Sequence, residues 1–176
     1  PDVELCSMQT VGIGSMPAAS VNYSWQPLTG LDNANLSNPQ LSVSNTLPNP
    51  QTVSYVLTAD LNGCRDYDTV QVVVKPVPVA GFPRPTSQCF RGHSFDFNAQ
   101  GNYPIQAIYH WDFGASATPS TANTASVQNV RFSSTGEMPV SLSIDLDGCS
   151  SNIFVNTVKV LEMPVANFTS NLFSGC

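Results

Sequence analysis

The sequence predicts an all-β protein built of sandwich domains placed end to end. Three observations carry that expectation. Helical periodicity is nearly absent, whereas apolar and polar residues alternate in many short runs. Turn formers are dense, with 14 prolines and 11 glycines in 176 residues. The chain also repeats itself. Cys6 to Cys89 spans 83 residues, Trp25 to Trp111 spans 86, Cys64 to Cys149 spans 85 and Cys89 to Cys176 spans 87. Leu61-Asn62-Gly63-Cys64 returns as Leu146-Asp147-Gly148-Cys149, and Pro78-Val79-Ala80-Gly81-Phe82 as Pro164-Val165-Ala166-Asn167-Phe168. A period near 86 is too long for a solenoid and suits one small sandwich of ~100 residues.

Each repeat reads Cys, Trp, Gly-Cys. The expected domains are 1–77, 78–162 and the opening of a third repeat at 163–176, which reaches only its first cysteine. Proline marks both joints, Val74-Lys75-Pro76-Val77-Pro78-Val79 and Leu161-Glu162-Met163-Pro164-Val165. It fixes φ and donates nothing to a ladder, so a strand leaves its sheet there. Such joints predict a semi-rigid rod rather than a flexible string.

The strands follow in order. Val21 to Trp25 and Ile108 to Phe113 are the tryptophan strands. Val53, Tyr55 and Leu57 alternate with Ser54, Val56 and Thr58; Val140, Leu142 and Ile144 alternate with Ser141, Ser143 and Asp145. Asp60-Leu61-Asn62-Gly63 and Asp145-Leu146-Asp147-Gly148 predict hairpin turns, because Asn-Gly and Asp-Gly tolerate positive φ. Val70 to Val74 and Val155 to Val160 return from them. The order Cys…Trp…Cys argues for an immunoglobulin-like sandwich. One departure is that the second cysteine follows the hairpin glycine instead of lying inside a strand.

Five cysteines allow fifteen ways of making two bridges. The repeat selects one, Cys6–Cys64 with Cys89–Cys149, leaving Cys176 without a mate in this chain. Each bridge would staple one end of a sandwich and stabilise it by roughly 3–5 kcal/mol through loop closure. None of the cysteines forms a CxxC pair and there are two histidines, so a zinc site is not expected. Disulfides of this range imply an oxidising compartment.

Composition narrows the function. The chain is 41% hydrophobic but only 10% charged, against about a quarter in an average protein. Ser, Thr and Asn fill the gap, as suits a secreted β-protein. Net charge is −6, and the cations are Lys75, Lys159, Arg65, Arg84, Arg91 and Arg131. They form no basic cluster, which excludes a nucleic-acid footprint and electrostatic binding to anionic membranes. No apolar run reaches the length of a membrane span. The opening PDVELC reads as the interior of a longer mature protein.

Candidate site residues are few. Trp25 and Trp111 occupy the same place in both repeats, so they read as core aromatics, with Tyr23 in the first repeat and Tyr109 and Phe113 in the second. Residues two apart on a strand share a face. His110 and Asp112 then face outward and make no acid–base pair. His93 reads as loop or strand edge. No GxSxG, HExxH or phosphate-binding loop is present. The hairpin aspartates Asp60, Asp66, Asp68, Asp145 and Asp147 could contribute oxygens to a calcium ion, or simply form turns.

Tyr109-His110-Trp111-Asp112-Phe113-Gly114, Ser133-Ser134-Thr135-Gly136 and Val140-Ser141-Leu142-Ser143-Ile144-Asp145 resemble the polycystic-kidney-disease (PKD) domain. With Cys89 and Gly148-Cys149 they look like the PKD-like repeats of large Bacteroidetes surface proteins. The first repeat resembles their companion Ig-like module through Val3-Glu4-Leu5-Cys6, Tyr23-Ser24-Trp25-Gln26-Pro27 and Asn62-Gly63-Cys64. The resemblance implies tandem Ig-like and PKD-like sandwiches of a type IX-secreted, gliding-motility-associated adhesin, displayed at the bacterial cell surface. Asp68-Thr69-Val70 also matches the short O-glycosylation pattern of that group, at Thr69. After WDFG the family often continues Asp-Gly, whereas Ala115-Ser116-Ala117 stands here.

The expected function is therefore non-catalytic: stalk or spacer modules with an adhesive surface. The expected partners are neighbouring repeats, surface glycans or other surface proteins, and the secretion machinery through regions outside this fragment. Nucleic acid and membrane insertion are not expected. No cofactor is expected beyond the calcium weighed above. An accessory carbohydrate- or protein-binding module beside a secreted enzyme is the alternative.

Overall fold

The computed structural model describes residues 3–169. It is all-β, with fifteen strands and no helix among the described residues. The chain divides into two compact units. The first is Pro1–Val79 with Ile105–Ala107 and Asp145–Ser151; the second is Ala80–Pro104, Ile108–Ile144 and Asn152–Cys176. Residues 163–169 carry no strand, and Cys176 lies outside the described residues.

The first unit holds β1 (Val3–Cys6), β2 (Thr10–Gly12), β3 (Asn22–Gln26), β4 (Gln40–Ser42), β5 (Gln51–Leu61) and β6 (Cys64–Lys75). One sheet runs β1-β6-β5-β3 and the other is the pair β2-β4. Leu5, Trp25, Tyr55, Val72 and Val74 from the larger sheet meet Ile13 and Leu41 from the smaller side. These side chains sit at alternate strand positions, the period a half-buried sheet demands. The Trp25 indole N–H donates to the Leu36 carbonyl at 2.9 Å, so its polar atom is satisfied where the ring is buried.

Tyr23 departs from expectation. It is half-buried, and its hydroxyl accepts the Ala18 N–H at 2.8 Å. It shares Trp25's strand parity but stands two residues earlier on β3, at the surface depression it lines with Asn22, Thr58 and Arg65. The unit's core tyrosine is Tyr55, fully buried, whose hydroxyl donates to the Thr29 carbonyl at 2.7 Å.

In the second unit stand β7 (Gln88–Cys89), β8 (Phe95–Asn98), β9 (Ile108–Asp112), β10 (Ala117–Thr118), β11 (Thr121–Ala122), β12 (Ser126–Phe132), β13 (Gly136–Leu146) and β15 (Phe154–Leu161). The short β14 (Cys149–Ser150) pairs with the end of β13 and is counted with the first unit. The sheets are β10-β12-β8 and β11-β9-β13-β15-β7. Phe95, Phe97, Val127, Val130 and Phe132 on one face Trp111, Val140, Leu142, Ile144 and Val158 on the other, all buried. Trp111 stacks on Phe113 with centroids 5.6 Å apart and tilts against Phe97 at 5.7 Å. Its indole N–H donates to the Thr124 carbonyl at 2.9 Å. Tyr109, Trp111 and Phe113 are thus core residues and His110 and Asp112 are exposed. The all-β, immunoglobulin-like β-sandwich class is the one that the sequence predicts.

Candidate functional site

The cysteines are placed by two kinds of local structure. Cys6 ends β1, and Cys89 ends β7. Each of these first strands pairs in parallel with the last strand of its repeat: Cys6 stands opposite Lys75, and Cys89 opposite Leu161. The following N–H groups repeat the same contact, Ser7 donating to the Lys75 carbonyl and Phe90 to the Leu161 carbonyl, each at 2.8 Å. Cys64 and Cys149 instead follow two-residue hairpin turns. Asn62 and Gly63 have φ of 53° and 93°, Asp147 and Gly148 of 51° and 82°. Positive φ at both central residues is the turn whose twist matches the flanking strands.

This geometry overturns the expected bridges. Cys6 is level with Lys75, whereas Cys64 begins the same strand eleven residues earlier. At ~3.3 Å per residue that places them roughly 35 Å apart, while a disulfide requires Cα atoms about 4.4–6.8 Å apart. Cys89 and Cys149 are separated likewise. Val160 is level with Gln88 and Gly136, whereas Leu146, opposite Cys149, lies ten residues further along β13. The bond that forms is Cys6–Cys149, with a Cα–Cα distance of 5.7 Å. Cys64 and Cys89 are free and exposed.

Around the bond, Cys149 is 1% exposed. Lys75 Nζ lies 2.6 Å from Glu4 Oε2 and donates to the Asp147 carbonyl at 3.4 Å. The Cys6 N–H donates to Gln9 Oε1 at 2.9 Å. Every residue of this cluster belongs to the first compact unit.

Asp60 closes its hairpin turn, whereas Asp66 and Asp68 lie within β6. Asp60 accepts the Gly63 N–H at 2.8 Å on one oxygen and Arg65 Nε at 2.8 Å on the other. The Arg65 hydrogen bond, then that of Gly63, hold its carboxyl below the ordinary carboxylate range. Asp66 and Asp68 accept the N–H of Tyr67 and Thr69. Asp145 and Asp147 belong to the other hairpin. Among the described residues no three His, Cys, Asp or Glu converge as a metal site. Thr69 is exposed on β6. Asp112 accepts the Gly114 N–H at 2.8 Å and so closes the turn after the tryptophan strand.

His93 is the residue that sequence reasoning missed. It lies in a loop, yet is only 6% exposed. Its Nε2 accepts the Phe132 N–H at 2.8 Å, which fixes the proton on Nδ1, 2.6 Å from the Phe90 carbonyl. Phe90, Phe95 and Phe132 surround the ring. The aromatic spacing Phe90-x-x-His93-x-Phe95 was the available signal.

No protein-family model matches the chain, and no curated protein sequence does. Solved structures do. DIP-gamma IG1+IG2 aligns over 93% of this chain and 94% of its own, at 8% identity and a TM-score of 0.46. The extracellular domains 3-5 of Drosophila OTK align over 93% and 59%, at 11% identity and 0.49. The D00-D0 domain of Intimin aligns over 92% and 96%, at 13% identity and 0.39.

Proposed function

We propose that the chain is a pair of non-catalytic structural modules of a long extracellular protein, serving as stalk or spacer with an adhesive surface. The Cys6–Cys149 bond carries this reading, since bonds of such range persist in oxidising compartments. Low charge and a hydroxyl- and amide-rich sequence support it, as does the local use of Asp60, whose carboxylate closes its own hairpin turn. The PKD-like motif points to repeats of a Bacteroidetes type IX-secreted surface adhesin of the gliding type. On that reading Thr69 carries an O-linked glycan, and the partners are neighbouring repeats and surface glycans or proteins. The test is labelling of intact producing cells with an antibody against this segment, followed by peptide mass mapping of the recovered protein. Surface label with an oxidised Cys6–Cys149 peptide is expected. Recovery only from the cytoplasm with both cysteines alkylatable overturns the reading.

A further inference from the structure

The four described cysteines fall into two classes with one rule between them. Cys6 and Cys89 end first strands; Cys64 and Cys149 follow hairpin turns. The bond that exists joins the first-strand cysteine of one repeat to the hairpin cysteine of the repeat that follows it. Neither class can bond within its own repeat, because the strands hold the two positions tens of ångströms apart.

The two free thiols are the same positions without that partner, and their surroundings differ accordingly. In the bonded hairpin, Leu146 and Cys149 are 8% and 1% exposed. In the free hairpin, Leu61 is 44% exposed and Cys64 is exposed. At the free first-strand end, Phe90 and Leu161, which flank Cys89 along its rung, are each 38% exposed. They stand where Ser7 and Lys75 stand at the bonded end. Apolar Phe90 and Leu161 match an incoming apolar Leu61 as Lys75 matches the Asp147 carbonyl.

From this we infer that Cys89 is a docking cysteine for the hairpin Gly-Cys of a following repeat, and Cys64 the acceptor for the first-strand cysteine of a preceding one. The repeats are thereby linked in a running series, each to the next. The occupant of the Cys89 end is a Gly-Cys hairpin such as Asn62-Gly63-Cys64 of a second copy in series.

Bond formation needs a disulfide oxidant, such as an oxidised small thiol. The Cys89 thiolate attacks it and releases one small thiolate. The Cys64 thiolate then attacks the mixed disulfide and releases the second. Two electrons pass to the oxidant, and the two cysteine protons end on its released thiols.

The test is a tandem fusion of residues 1–176 with residues 7–162, in which Cys176 takes the place of Cys6 in the second copy. After oxidation with glutathione disulfide, exposed thiols are alkylated and bridged peptides mapped without reduction. Cys89 of the first copy is expected bonded to Cys64 of the second, with Cys64 of the first copy alkylated. Changing the second copy's Cys64→Ser should return Cys89 of the first copy to full alkylation. In the single chain, at dilution, both Cys64 and Cys89 should alkylate. Alkylation of both cysteines in the fusion overturns the inference, as does a Cys64–Cys89 bond within one copy or loss of the Cys89 thiol in the Ser variant. These readouts concern the repeat alone, so they stand or fall independently of surface display.

Discussion

The two hairpins of this chain share a turn and differ in everything beyond it. Both place Gly then Cys after an apolar residue, with positive φ at two successive positions. One turn is flanked by buried Leu146 and Cys149 and bonded through Cys149; the other is flanked by exposed Leu61 and Cys64, with Cys64 free. What separates them is not local chemistry but what each tip meets. A turn sequence fixes how a cysteine is presented. The register of a strand far away in the chain fixes whether another cysteine is there to receive it.

The largest effect should come from breaking the bonded tip. Cys149→Ser removes a cross-link across a sequence separation of 143, worth about 5 kcal/mol by loop-closure entropy. Cys64→Ser touches only an exposed thiol and should change stability by less than ~0.5 kcal/mol. Urea denaturation of the two variants measures the contrast, and equal losses would remove the distinction between the tips.

Next come the two tryptophans. Trp111→Ala should cost about 3–5 kcal/mol, the usual range for emptying an aromatic site in a packed core. Trp25→Ala should cost a similar amount, since both rings are buried and both indoles are hydrogen-bonded. Their separate thermal transitions would show whether each loss stays with its own unit. Gly14 sharpens the same point. It has a φ of 89°, and an added Cβ would overlap the Ser37 carbonyl oxygen and reach Trp25 Cζ2 at 3.0 Å. Gly14→Ala should destabilise by about 1–3 kcal/mol and shift Trp25 emission.

His93→Ala should cost about 1–3 kcal/mol, because it strands the buried Phe132 N–H. Hydrogen exchange at Phe132 would report the loss directly.

The smallest effect belongs to the free hairpin. Asp60 is held below its ordinary value by Arg65 and Gly63. A depressed carboxyl adds stability above its unfolded value and loses it as pH falls through the folded one. Protection of the Gly63 amide should therefore fade only in acid, below the range where ordinary aspartates titrate. Asp60→Asn should abolish that pH dependence.

Much of the fold was legible because its determinants are local. Alternation placed Trp111 inward and His110 outward, and Asn62-Gly63 and Asp147-Gly148 announced their own turns. The disulfide pairing was not legible. A repeat shows that a first-strand cysteine goes with a hairpin cysteine, but pairing within a repeat and pairing with the next repeat are equally periodic. Strand length decides between them: β6 carries Cys64 and the partner of Cys6 at opposite ends. Tyr23 and His93 escaped for a related reason. Parity along a strand gives a face, but the end of a sheet exposes that face, and a ring of phenylalanines can bury a loop.

The parallel pairing of β1 with β6 has a mechanical meaning. Once the Cys6–Cys149 bond is reduced, tension pulling the chain from its two ends slides these strands past each other, so the rungs from Val3↔Val72 to Cys6↔Lys75 are loaded together and not one at a time. While it is intact, the bond from Cys6 to Cys149 carries the load around everything between them, β6 included. On the order of 500 Å of extensible chain is withheld from the pull while the bond is intact. Reduction would release it, visible as new contour length in a force–extension trace.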